Sequence, residues 1–206
     1  IPILRTIKEG LSTNKINKVY GILNGTTNYI LSEMEKSGEN FEKVLKTAQQ
    51  LGYAEPGNSK YDLNGSDAFA KVRILSALSF NTLISKSQCI VEGIEKINIK
   101  DIKIANQLNL RIKLLGVSEI INGKLFETVH PCLVSKNSYI GNVNGVMNAV
   151  ITNGKPVGES ILQGEGAGPG PTSSSLLSDL MSILSGQIKN PFGIPSFKRK
   201  KIQVLN

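Results

Sequence analysis

The sequence is poor in the residues that disulfide scaffolds and metal centres require. Its 206 residues include two cysteines, one histidine and no tryptophan. Cys89 and Cys132 are far apart and belong to no CxxC motif, so we predict no metal site and ordinary thiols in a reducing, cytoplasmic setting. The single histidine, His130, has no serine or cysteine partner in any nucleophile motif, and we expect a packed strand residue there.

Long apolar runs are also missing. No stretch approaches the roughly 18 to 20 apolar residues that cross a bilayer, so we predict no membrane span. The first five residues, Ile1-Pro2-Ile3-Leu4-Arg5, lack an initiator methionine and the layout of a signal peptide. We therefore expect this chain to have been cut from a longer protein.

The positive charge is not distributed as in a nucleic-acid-binding protein. The formal net charge is +8, but few of the 24 basic residues are arginine and aromatic residues make up only 5% of the chain. Clustered arginines and stacking aromatics would be expected of such a protein. Residues 198–201 are the one basic cluster, which we interpret as a solvated tail. The general positive field favours small anionic ligands.

What remains is the composition of a globular protein with an α/β (α+β) fold. Hydrophobic residues make up 40% of the chain and charged residues 19%. Apolar spacing predicts helices at 4–11, 27–36, 41–50, 66–83, 99–108 and 172–184. It predicts strands at 16–23, 89–94, 110–120, 125–134, 147–152 and 160–162. Asn122-Gly123 predicts a β-hairpin, and the order of elements predicts a mixed sheet covered by helices.

One charged pair stands out at the start of the helix predicted at 66–83. Ser66 is a suitable N-cap, which puts Asp67 in the first turn and Lys71 one turn later on the same face. The same face continues with apolar residues, so the pair is expected to be partly desolvated, which is how a lysine becomes tuned for proton transfer. The alternative is an ion pair with only a structural role.

Two loops add further candidates. Glu55 and Asp62 precede the Asp67 helix, and three carboxylates at one helix start can hold an ammonium group; Asp62 can equally form a turn with its own backbone. Residues 164–171 form a glycine loop before a helix, which suits the close approach of a ligand. Neither a G-x-G-x-x-G nor a P-loop register is present there.

Taken together, four segments resemble the homoserine dehydrogenase family, in the family's order. They are GILNGTTNYI at 21–30, the region 48–71 with LGYAE and the pattern Gly65-x-Asp67-Ala68-x-x-Lys71, VNGVMNAV at 143–150, and GxGAGxxPT at 164–172. The resemblance implies an NAD(P)-dependent oxidoreductase that interconverts L-homoserine and L-aspartate 4-semialdehyde.

The resemblance also implies roles for single residues. Lys71 matches the proposed proton donor to the aldehyde oxygen, and Asp67 matches the aspartate that positions it. Glu55 and Asp62 match residues that bind the amino end of the substrate. The remaining matches are glycines and a threonine: Gly25 and Thr26 beside the substrate, and Gly168 beside the nicotinamide cofactor.

The family's organisation implies three regions: residues 1–134 as the substrate-binding and catalytic region, 135–168 as a homodimer interface, and 169–206 as a C-terminal helix and tail. The family's N-terminal dinucleotide-binding (Rossmann) domain is expected to be absent, and the C-terminal helix normally packs on it. We therefore expect the helix's apolar stripe to be exposed, repacked or buried against another chain. The stripe comprises Leu176, Leu177, Leu180, Met181 and Leu184.

Two alternatives remain open. Glu55 and Asp62 are one position further apart than is usual in the family, and the residues between them differ from the usual pattern. This favours a non-catalytic binding or dimerisation module with the same fold. The other alternative is an oxidoreductase for a related amino-acid semialdehyde, because these carboxylates recognise an amino end without measuring the length of the substrate.

Overall fold

A computed structural model of the chain describes residues 1–84, 89–187, 199 and 201–205. Of the predicted basic tail at 198–201, Lys198 and Lys200 lie outside the described residues. The strands are β1 (Lys15–Ile22), β2 (Ile90–Val91), β3 (Leu110–Ile121), β4 (Lys124–Ser135), β5 (Met147–Lys155) and β6 (Gly158–Glu165). The helices are α1 (Ile3–Arg5), α2 (Gly25–Ser37), α3 (Phe41–Gln50), α4 (Lys60–Leu63), α5 (Ser66–Ser79), α6 (Ile99–Gln107) and α7 (Pro169–Leu184). A π-helical segment (Thr6–Gly10) follows α1, and a 3-10 turn (Ile140–Asn142) precedes β5.

The fold is α/β with a mixed sheet, as predicted. The strands lie in the order β2-β4-β3-β1-β5-β6. All neighbours are antiparallel except the short β2, which runs parallel to β4. The hairpin between β3 and β4 turns at Asn122 and Gly123, which both have positive φ, as a type I′ turn requires. Because β5 pairs with β1, the proposed dimerisation region shares a sheet with the proposed catalytic region.

Alternate residues of the central strands enter two apolar clusters on opposite faces of the sheet. Val19, Leu114 and Val150 face the main core, where helices α2, α5 and α6 cover the sheet. Ile22, Leu115 and the other members of the smaller cluster face the opposite side. The functional candidates lie on the helix-covered face, at the edge where β1 ends and α2 and α5 begin.

Several boundaries differ from the predictions. Asn24, not Thr27 or Asn28, is the N-cap of α2, and its side chain accepts a hydrogen bond from the Thr27 N–H. Gly65, with φ of 85°, precedes α5 in place of the predicted cap Ser66. A glycine tolerates this left-handed conformation, which a serine would resist. Asp67 still lies in the first turn of α5, because the shift is a single residue.

Other elements change in length or kind. The predicted strand at 89–94 is reduced to the two residues of β2, and β6 is longer than predicted. The predicted loop between Tyr53 and Gly65 contains the short helix α4. Helix α7 begins at Pro169 rather than at Thr172, which suits the fixed φ of a proline in the first turn.

The apolar stripe of α7 is exposed, as expected. Helix α7 contains no buried residue, and Leu176, Leu180 and Leu184 are all exposed. Its side-chain hydrogen bonds to the rest of the described chain come from Arg5, which donates to Ser178 and Ser182. Within the described ranges, no helix is both long and apolar enough to cross a lipid bilayer.

Candidate active site

Asn24 connects the parts of the candidate site. It lies between β1 and α2 and is buried. Its Oδ1 caps α2, which fixes the amide so that Nδ2 points towards the acidic residues. Nδ2 then donates to Asp62 Oδ1 at 2.8 Å and to Asp67 Oδ2 at 2.9 Å. One amide therefore holds two carboxylates from different segments side by side.

Lys71 completes this cluster. Its Nζ donates to Asp67 Oδ2 at 2.7 Å and to the backbone oxygen of Leu23 at 3.0 Å. The Lys71 side chain is 47% exposed and that of Asp67 22% exposed. The ammonium group is thus anchored by two oxygens and remains accessible to a ligand. The predicted pairing of Lys71 with Asp67 is confirmed, and the desolvation is partial.

The acidic loop approaches this cluster through Asp62 more than through Glu55. Burial raises the pKa of Asp62 above its ordinary value, and the charges of Asp67 and Glu55 raise it further, whereas Asn24 and Lys71 lower it. Glu55 therefore lies close enough to affect Asp62 electrostatically, but its own Oε2 accepts a hydrogen bond from Asn58. The structure places Asp62 in the cluster and Glu55 at its exposed margin.

Gly25 and Thr26 form the first turn of α2, directly after Asn24. A Cβ at Gly25 would lie 2.7 Å from the Val146 backbone oxygen, so a larger residue would push the segment before β5 away. Thr26 Oγ1 donates to the Tyr53 backbone oxygen at 2.6 Å, which ties this turn to the start of the acidic loop. Because α2 begins directly after Asn24, its first backbone N–H groups lie beside the cluster.

A cavity of about 210 Å³ lies beside Lys71. Its lining residues, drawn from the described part of the chain, are Ile1, Ile3, Leu4, Ile22, Leu23, Lys71, Ile74, Leu75, Asn148, Val150 and Gly166. The glycine loop therefore reaches this cavity at Gly166. Gly168 does not line it; Gly168 precedes α7 with φ of 112°. The cavity has mostly apolar walls and offers polar groups at Lys71 and Asn148, a combination typical of a small-molecule site.

Lys113 holds in place the segment that precedes Asn148. This lysine is 1% exposed, and its Nζ donates to Val143 O at 2.6 Å, Asn28 Oδ1 at 3.0 Å and Asn144 Oδ1 at 3.1 Å. Burial, with a smaller contribution from Arg111, lowers the pKa of Lys113 to about 8. These bonds tie β3 and α2 to the segment that leads into β5.

No motif in the sequence singles out Asn24, Lys113 or Asn148, which the structure places in or beside the site. Asn24 immediately precedes a glycine where a strand ends, which is a recognisable capping signal. Lys113 and Asn148 are polar residues inside apolar strands, and such residues are usually hydrogen-bonded or functional when buried. His130 lies on β4 beside Cys132, with 3.3 Å between Nδ1 and Sγ, and burial raises the pKa of that thiol. A thiol with a raised pKa is a poor nucleophile.

The cluster is suited to moving a proton at the boundary between two environments. Lys71 has N–H groups to donate, and Asp67 holds it in place one turn earlier. On one side lie the carboxylates of Asp62 and Asp67, which favour a cationic group. On the other side lies the mainly apolar cavity.

Comparisons with known proteins identify relatives of this chain. The family model described as homoserine dehydrogenase matches residues 2–181. The chain is 46% identical over 183 residues to a homoserine dehydrogenase from Neisseria gonorrhoeae, which covers 89% of this chain and 42% of the relative. It is 38% identical over 203 residues to one from Bacillus subtilis, covering 97% of this chain and 47% of that relative.

Solved structures give the same result. A homoserine dehydrogenase from Thiobacillus denitrificans superposes with a TM-score of 0.91 at 38% identity, covering all of this chain and 49% of the other. A hyperthermophilic archaeal homoserine dehydrogenase mutant in complex with NADPH has a TM-score of 0.74 at 26% identity, with 92% of this chain and 53% of the other covered. The chain thus spans about half the length of these proteins or less.

Proposed function

This chain belongs to the homoserine dehydrogenase family, and we propose that it supplies the substrate site and the proton donor for the NAD(P)-dependent interconversion of L-homoserine and L-aspartate 4-semialdehyde. The observation that carries the proposal is the ion pair between Lys71 and Asp67 at 2.7 Å, placed between an acidic pocket and a mainly apolar cavity. Such a pair can supply the proton donor that the reduction of an aldehyde requires, since a proton must reach oxygen as hydride reaches carbon.

The substrate is bound by groups around Asn24. The carboxylates of Asp62 and Asp67 are held together by the Asn24 amide and would pair with the substrate's ammonium group. Glu55 adds negative charge at the exposed margin. Gly25 and Thr26 start α2, whose N–H groups and positive end favour a carboxylate. The two ends of an amino acid therefore find complementary charges within one cluster.

Lys71 is the group that touches the reacting oxygen. In the reducing direction its ammonium donates a proton to the aldehyde oxygen, which becomes the hydroxyl of homoserine. In the oxidising direction the neutral amine accepts that proton. Asp67 orients Nζ through the 2.7 Å hydrogen bond.

The nicotinamide cofactor supplies or accepts the hydride. Of this chain's residues, Leu23, Asn148 and Gly166 line the cavity that would hold its ring, and Gly168 lies two residues beyond in the same loop. The rest of the dinucleotide would be bound by a Rossmann domain of the kind that the family contains, against which the exposed face of α7 would pack. We further propose that residues 135–168 form the interface of a homodimer.

Substrate recognition is tested on the protein that contains this chain together with its dinucleotide-binding part. L-Homoserine should support NAD(P) reduction, and 4-hydroxybutanoate, which lacks the amino group, should be a poor substrate. Asp62→Asn should lower kcat/KM for L-homoserine about 10-fold or more, because the ammonium loses a charged partner. The same change should leave the rate with 4-hydroxybutanoate nearly unaltered. No homoserine-dependent reduction in the unaltered protein would reject the proposed function.

A further inference from the structure

Asn148 is a polar residue in an otherwise apolar part of β5. It is followed by the buried residues Ala149, Val150 and Ile151, and it shares the helix-covered face with Val150. Its side chain is itself buried, with the residue only 8% exposed. Asn148 nevertheless lines the cavity beside Lys71. It is thus a buried amide at the wall of a ligand-sized space.

The amide oxygen of Asn148 is not satisfied within the described part of the chain. Its Oδ1 is buried and has no hydrogen-bond partner there. A buried polar atom without a partner costs about 1 to 3 kcal/mol. Among the buried atoms of this kind in the described part of the chain, Asn148 Oδ1 is the one whose residue lines the cavity beside Lys71. Lys113 and Asn28 hold the preceding segment in place, so this position of the amide is enforced by the fold.

Gly166 leaves the space that the amide occupies, and Gly25 lies at ordinary contact distance from it. A Cβ at Gly166 would lie 2.0 Å from Asn148 Nδ2, and a Cβ at Gly25 would lie 3.4 Å from Asn148 Oδ1. The Asn148 amide is therefore enclosed between the glycine loop and the start of α2. Its last torsion is broad for this residue type, so the amide can present either its N–H or its C=O group to the cavity.

Building on the proposed function, we propose that Asn148 binds the carboxamide of the nicotinamide ring and so fixes which face of the ring is turned towards Lys71. Once this torsion turns Oδ1 to the cavity, the NH2 group of the carboxamide can donate to it, which gives the unpartnered oxygen its hydrogen bond. The apolar walls at Leu23 and Val150 suit the ring itself. A carboxylate would fit less well, because Lys71 is already paired with Asp67.

The experiment measures dinucleotide affinity rather than turnover. In the protein that contains its dinucleotide-binding part, calorimetry would compare the unaltered chain with Asn148→Ala. The ligands would be NAD(P)+, its 3-acetylpyridine analogue, which lacks the carboxamide NH2 group, and ADP-ribose, which lacks the ring. We expect Asn148→Ala to weaken NAD(P)+ binding about 5- to 30-fold and to leave ADP-ribose binding unchanged. The analogue should bind both proteins with the same affinity.

Each contrary result has a defined meaning. Unchanged NAD(P)+ affinity in Asn148→Ala, or an equal loss for ADP-ribose, would overturn the assignment of Asn148 while homoserine-dependent reduction by the unaltered protein still supports the proposed function. Absence of any dinucleotide binding by the unaltered protein would overturn both. If Asn148→Ala does not fold, the affinities of the unaltered protein for NAD(P)+ and for the acetylpyridine analogue are compared instead. Equal affinities would contradict the proposal.

Discussion

Lys71 Nζ lies 2.7 Å from Asp67 Oδ2, one turn apart at the start of α5, and the lysine side chain remains half-exposed. The geometry is that of an ordinary helical ion pair, which stabilises a protein by only about 0.2 to 1 kcal/mol. What distinguishes this pair is its surroundings. The carboxylate also accepts from buried Asn24, and the ammonium also donates to the end of β1 at Leu23. The pair is thus held rigidly at the edge of a cavity.

This placement predicts that Lys71 matters for turnover and little for stability. In the protein with its dinucleotide-binding part, Lys71→Ala should lower kcat by about 100-fold or more, the usual range for loss of a general acid. The melting temperature should change only slightly, since the lost ion pair is half-exposed. Steady-state kinetics and thermal unfolding check both expectations.

Lys96 provides the matched control for Lys71. It also pairs with an acidic residue at the i−4 position, Glu92, but the two atoms are 3.5 Å apart and 85% of the lysine side chain is exposed. Lys96→Ala should leave kcat unaltered. Equal turnover in Lys71→Ala and Lys96→Ala would remove Lys71 from the mechanism.

Asn24 should matter for both stability and substrate binding. Asn24→Ala removes the cap of α2, at about 1 kcal/mol, and leaves Asp62 and Asp67 without a shared donor. Asn40→Ala removes only the cap of α3, because Asn40 accepts from the Lys43 N–H and belongs to no carboxylate cluster. Denaturant unfolding should show a loss of about 1 kcal/mol for Asn40→Ala and about 2 to 4 kcal/mol for Asn24→Ala.

Substrate affinity separates the two asparagines further. Asn24→Ala should raise the KM for L-homoserine several-fold, since the two carboxylates repel each other without the bridging amide. Asn40→Ala should leave KM unchanged. Identical losses of stability, with unchanged KM in both variants, would show that Asn24 is only a helix cap.

The paired residues of the site and much of the fold could be predicted from local sequence. The Asn122-Gly123 turn sets φ by residue type, and the spacing of Asp67 and Lys71 fixes their common face once α5 forms. The family resemblance added the roles of these residues, which spacing alone left undecided between a structural and a catalytic ion pair.

The tertiary contacts could not be predicted in the same way. Asn24 bridges Asp62 and Asp67 because β1, α4 and α5 meet at one point, and no local pattern encodes that meeting. Lysine usually occupies the solvent-facing side of a strand, yet the segment before β5 folds over Lys113 and buries it. The cap of α5 is Gly65 rather than the predicted Ser66, because the chain enters the helix with a positive φ that glycine tolerates and serine resists.

Lys113 predicts a specific dependence of stability on pH. Its pKa is lowered from 10.5 to about 8 in the folded protein, mainly by burial. Between these values the unfolded chain binds the proton and the folded protein does not, so the free energy of unfolding contributed by this group rises as pH rises. Above pH 10.5 neither state binds the proton, and below about pH 8 both states do, so outside this range the contribution of Lys113 to the free energy of unfolding no longer changes with pH. Below about pH 8 that contribution is a constant destabilisation, because the charged ammonium is buried.

Lys113→Met isolates this effect, because the other titrating groups are common to both proteins. The difference in unfolding free energy, unaltered protein minus Lys113→Met, should increase by about 3 kcal/mol between pH 8 and pH 10.5, at 1.36 kcal/mol per pKa unit. Denaturant titrations at several pH values measure it. A difference that stays constant over this range would mean that Lys113 is not the perturbed group.

Gly166 should be required for the position of Asn148. A Cβ at Gly166 would lie 2.0 Å from Asn148 Nδ2, so Gly166→Ala must push the amide out of its place or move the glycine loop. Gly170, in the first turn of α7, has no atom within 4 Å of its Cβ position and serves as the control. We expect Gly166→Ala to weaken NAD(P)+ binding about as much as Asn148→Ala does, and Gly170→Ala to leave it unchanged. In the double variant the two losses should not add, because both changes remove the same contact. Fully additive losses would show that Gly166 acts on the cofactor by a route other than Asn148.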